Sequence, residues 1–217
     1  SLFGIRNVFG FWSFLFPETL QQNERYPQSA YSLNVLTTIE RDSSNRVRIS
    51  ALNFMFNFFN FGKGFIRNLI AESHHHRSCS AISFTPLSDA LTGMVKELHR
   101  FFALFLLKES NSAILISIYK TVSLIVSITP YDKLHTDILS PLFCRNSFLL
   151  DHKMTQIKNL SLVLFVKMFT PENLPKEFRA WLVENPSGLK VMSKILKHCF
   201  EYITNTEYIL LCIESIK

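Results

Sequence analysis

Glycine and proline are scarce, with six and eight residues in a chain of 217. An all-β domain of that length draws more heavily on both for its turns, so the balance points to helices. Long uncharged runs are missing too. None exceeds fourteen residues, Ile49 to Gly62 among them, whereas a spanning helix needs roughly 18–20. No membrane insertion is therefore expected. Cysteine is limited to Cys79, Cys144, Cys199 and Cys212, with no CxxC pair. That spacing suggests no disulfide framework, and reduced thiols in an intracellular protein, cytoplasmic and/or nuclear, are the expectation.

Apolar residues are plentiful, at 47 % against 18 % charged, so a packed core is expected rather than disorder. The net charge is +6 and the pI about 9.2, which permits anionic partners without requiring them. The chain opens on Ser1 and closes on TEYILLCIESIK, which reads as a helix without a cap. A fragment of a longer protein is the expectation.

Hydrophobic spacing is helical nearly throughout, giving roughly ten helices joined mostly by short turns. Leu2–Phe16 predicts an aromatic-rich helix ended by Pro17, and residues 17–27 a loop. Ser29–Glu40 predicts a short helix, 42–45 a turn, and Arg46 to Ile70 a helix bent near Gly62 and Gly64. Residues 71–84 read as a polar loop. Thr85-Pro86 marks a helix start running to Lys108, and Asn111 or Ser112 opens another that Pro130 stops. Tyr131–Leu139, Gln156–Phe169, Pro171–Glu184 and Ser187–Tyr202 complete the set, with Asp151 in a loop.

Residues 51–65, ALNFMFNFFNFGKGF, hold six phenylalanines. On a helix, Ser50, Asn53, Asn57, Asn60 and Gly64 form a narrow polar stripe. Phe54, Phe58, Phe61 and Phe65 form the neighbouring face, and Met55, Phe56 and Phe59 most of the rest. So wide an apolar arc predicts cover on several sides, and a cost of roughly 3–5 kcal/mol for Phe58→Ala or Phe61→Ala.

Catalytic signals are few. His74-His75-His76, with Cys79 three residues on, lacks the spaced ligands of zinc sites and reads as solvated polar chain. Glu97 and His99 lie two residues apart on a helix and point about 200° from each other, so they do not converge for acid–base work. A bracing role for His99 or Arg100 at a neighbouring turn is expected instead. There is no phosphate loop, no dinucleotide fingerprint and no HExxH, so no enzyme, metal or cofactor is expected. Basic residues gather loosely at Arg41, Arg46, Arg48, Lys63 and Arg67. Lys190, Lys194 and Lys197 fall near one helix face and form a candidate basic contact face.

The segment Asp42-Ser-Ser-Asn-Arg-Val47-Arg48-Ile-Ser-Ala51-Leu52 resembles the HEAT repeat, whose turn and second helix read roughly D-x(4)-V-R-x-x-A-L. The motif residues here are Asp42, Val47, Arg48, Ala51 and Leu52. A second copy starts at Asp151, aligning Ile157-Lys158 with Val47-Arg48 and Ser161-Leu162 with Ala51-Leu52. Lysine stands there in place of arginine. Lys96-Glu97-Leu98-His99-Arg100, Glu109–Ser112, and Ser127-Ile-Thr-Pro-Tyr131-Asp-Lys-Leu134, with Phe84-Thr85-Pro86 ahead of them, resemble the family of HEAT repeat-containing protein six, whose shared segment is a domain of unknown function. The resemblance implies an all-α fold, a HEAT/armadillo-like α-solenoid of stacked antiparallel helical pairs. It implies a preceding helix and loop over 1–28, a HEAT-like core over 29–170 and further, truncated pairs over 171–217. It carries over no catalytic residues.

The expected function is a non-catalytic scaffold whose concave surface holds a protein partner. Nucleic acid or an acidic partner on the basic helix faces is the weaker alternative. A transport-adaptor role follows only from analogy with other HEAT proteins.

Overall fold

The structure, a computed structural model, describes residues 35–79, 86–134, 138–170 and 175–201. These are all helical or loop, with no strand among the described residues. Eight α-helices follow in order: α1 Val35–Arg41, α2 Asn45–Cys79, α3 Pro86–Lys108, α4 Ser112–Ile128, α5 Leu139–Asn146, α6 Thr155–Phe169, α7 Lys176–Glu184 and α8 Pro186–Glu201. Two 3₁₀ turns, Tyr131–Lys133 and Ser147–Asp151, sit on either side of α5. The expected first helix, residues 2–16, and the terminal segment 202–217 lie outside the described residues.

The chain divides into two compact units, Ser1–Phe54 and Met55–Lys217. In the first, the Asp42 carboxylate accepts from the Ser44 amide at 2.7 Å, closing the turn ahead of α2. The Arg48 guanidinium donates through Nε to the Ile39 carbonyl at 2.7 Å. Arg48 thus caps the end of α1, satisfying a carbonyl that the helix leaves open. Leu52 is fully buried, Ala51 half-buried and Val47 exposed.

In the second unit α4 is central. Its start is fixed by Asn111, whose Oδ1 accepts from the amides of Ala113 and Ile114, and Glu109 Oε1 accepts from those of Ser110 and Asn111. These carboxylate and amide oxygens satisfy donors that a helix start leaves open. At the other end the Thr129 hydroxyl donates to the Ile125 carbonyl at 2.7 Å, and Pro130 cannot extend the helix. Residues Ile114, Leu115, Ile118, Tyr119, Val122, Ile125 and Val126 are all buried, so α4 is covered on several sides.

Packing runs between helices two apart in sequence as well as between neighbours. α3 packs on α4 and along α5, and α4 lies along α6. α7 pairs with α8, and α8 also meets α5 and the 3₁₀ turn 147–151. Phe143 of α5 organises one junction. Its ring meets Phe165 and Phe169 of α6 and Phe178 and Trp181 of α7 edge-on, at 4.9–6.1 Å between centres. Phe178 and Trp181 stack on each other at 5.7 Å. Such aromatic pairs add about 0.5–1.5 kcal/mol each beyond their buried area. Gly188 lets α7 and α8 approach closely, since a Cβ there would fall 2.9 Å from the Leu182 Cα and the Trp181 carbonyl oxygen.

Three expectations need correction. α2 does not end near Ile70 but continues to Cys79, so His74–His76 and Cys79 are helical. No proline or glycine interrupts residues 65–79, and histidine is not a breaker. Tyr131–Leu139 is not a continuous helix: a single 3₁₀ turn precedes α5, and the stretch 139–151, taken for a loop around Asp151, is helical. Proline at position 141 falls in the first turn of α5, where its missing N–H costs nothing. Finally, the phenylalanines of α2 are not all covered. Phe59 is 1 % exposed, but Phe54 is 48 % and Phe61 88 % exposed. The buried positions Leu52, Met55 and Phe59 recur at i, i+3 and i+7, and Phe61 points about 200° from Phe59. The costly truncation predicted for Phe61 is withdrawn on this account.

Candidate functional site

Among the described residues of the second unit, three groupings of polar side chains stand out. The first joins the two sequence segments singled out above. His99 on α3 lies fully buried beneath Tyr131, which opens the 3₁₀ turn after α4. His99 Nδ1 is 2.7 Å from the Val95 carbonyl and Nε2 is 2.6 Å from the Tyr131 hydroxyl. A carbonyl can only accept, so Nδ1 carries the proton and donates. Nε2 therefore accepts from the Tyr131 O–H. Burial lowers the His99 pKa to about 4, with the bond to Val95 opposing the shift. The same burial pushes the Tyr131 phenol well above its usual value. The buried, neutral imidazole bridges α3 to the turn after α4.

The second grouping ties α4, α5 and α6 together. The Tyr119 hydroxyl donates to Asn146 Oδ1 at 2.8 Å, and Asn146 Nδ2 donates to the Ser161 carbonyl at 2.9 Å. The Ser161 hydroxyl returns a bond to the Asn146 carbonyl at 3.1 Å. All three residues are buried, and burial drives the Tyr119 pKa upward. The sequence placed Ser161 at the alanine position of the repeat motif. A small side chain suits the close approach there, and its hydroxyl is satisfied across the interface. Asn146 was not anticipated, because nothing in its neighbourhood marks a buried amide.

The third lies at the surface. Lys194 Nζ meets Asp151 Oδ2 at 2.6 Å and the Ser147 carbonyl at 2.6 Å. His198 Nε2 donates to Asp151 Oδ1 at 3.0 Å. The hydrogen bond from Lys194 chiefly lowers the Asp151 pKa; burial opposes it, and the bond from His198 adds to the lowering. Lys194 also stands 5.9 Å over the Phe148 ring. This junction binds α8 to the turn that precedes α6.

The candidate basic face is therefore divided. Lys190 and Lys197 are exposed, whereas Lys194 is three-quarters buried and engaged with Asp151. Asp151 is held by Lys194 and His198 of α8. Lys194 lies 43 residues on in sequence, beyond what a local pattern could indicate.

Among the described residues no three or more His, Cys, Asp or Glu side chains gather as metal ligands, and no helix is long and apolar enough to cross a membrane. The side chains of His74–His76 and Cys79 lie outside the described set. No solved structure matches the chain. A family model, described as a domain of unknown function (DUF4042), matches residues 3–178. That span takes in both segments joined by His99 and Tyr131, the buried Tyr119–Asn146–Ser161 network, and the aromatic junction as far as Phe178. The chain belongs to this DUF4042 family.

Proposed function

We propose that the chain is a non-catalytic helical-repeat scaffold of HEAT/armadillo type that holds protein partners. The observation that carries this reading is the next-but-one packing. α3 lies along α5 and α4 along α6, while α3 packs on α4. That is the order expected when helical pairs stack and each pair leans on the next. The Asp151 bond to Lys194 has the same logic, since it links a turn to the second helix of the following pair. The polar groupings support a structural use: two are buried and internally satisfied, and the third is an ion pair between helical elements. On this reading the protein takes no cofactor and works inside the cell without inserting in a membrane.

Affinity purification of the full-length protein tests the proposal. A protein recovered in near-equimolar amount, and lost when exposed charges on the helices are reversed, is the expected result. Recovery of nothing above background, or indifference to every reversal, would overturn it.

Nucleic acid is the second reading, favoured by the exposed Lys190 and Lys197. Neutralisation of Lys194 by Asp151 counts against it. Titration with DNA and RNA at two salt concentrations separates the two readings, since phosphate contacts give a steep salt dependence.

A further inference from the structure

We draw no further inference here: the strongest candidate, the exposed apolar line of Leu189, Leu196 and Phe200 along α8, is a surface patch for which nothing in the structure shows what covers it.

Discussion

Acid should weaken the fold through one residue, His99. Its imidazole is neutral and sealed, with a pKa lowered to about 4 in the folded chain, against roughly 6.5 when unfolded. Between those values the unfolded chain binds a proton that the folded chain refuses. Stability is therefore fully present above about pH 6.5 and falls as the pH drops toward 4. Working the linkage from pH 7.5 to 5.0 gives a loss of about 2 kcal/mol from this group alone. For a chain of this size that corresponds to a fall in thermal midpoint of about 4–8 °C. The assay is urea unfolding followed by circular dichroism at half-unit steps across that range. Other histidines titrate in the same window, so the comparison is with His99→Gln, which cannot protonate. The variant will be less stable at pH 7.5, since the glutamine amide does not reproduce the ring geometry that donates to the Val95 carbonyl and accepts from the Tyr131 hydroxyl at once. Its stability should nevertheless fall less steeply, and the two curves should converge as the pH is lowered. Parallel curves would refute the reasoning and place His99 in contact with solvent.

Further outcomes follow from the packing. Gly188→Ala should destabilise by about 1–2 kcal/mol, because overpacking against unyielding backbone outweighs the gain in helix propensity; Trp181 fluorescence and a thermal melt check it. Phe59→Ala should cost about 3–5 kcal/mol, while Phe61→Ala should stay within about 0.5, as read from paired urea titrations. Tyr119→Phe should cost about 1–3 kcal/mol by leaving Asn146 Oδ1 buried without a donor, and a near-neutral melt would mean water reaches the network. Lys194→Met should cost under about 1 kcal/mol, since Asp151 is 64 % exposed and screened. The contribution it removes is present above the ordinary carboxylate pKa and fades as the pH falls through the lowered Asp151 value. The difference between the two chains should therefore close only in strong acid.

Helix type and most boundaries were legible because periodicity and end signals act locally. Pro86 opening α3, Asn111 capping α4 and Pro130 closing it all follow from chemistry within a few residues. The same locality explains the misses. Residues 71–79 look polar enough for a loop, yet nothing in them breaks a helix already running from Asn45. The short α5 is held by Phe143 and Asn146, whose partners sit on α4, α6 and α7, and such burial has no signature in eight residues. The phenylalanines of α2 show the opposite error. An abundance of apolar side chains suggested cover on every side, but Phe61 lies on a face that the described chain leaves open. Of the candidate contact residues, spacing correctly grouped the lysines on one side of α8. It could not tell that Lys194 turns inward to Asp151, because that depends on where the preceding turn is placed in space.

The central claim is that the exposed helix faces hold a protein while the buried polar groups only maintain the fold. Hydrogen exchange on the full chain, with and without the protein recovered by affinity purification, tests it most directly. The account predicts slowed exchange confined to helices bearing exposed apolar and charged side chains, and no change around His99, Tyr119 or Asn146. Absence of any protected segment, or protection centred on those buried groups, would contradict it.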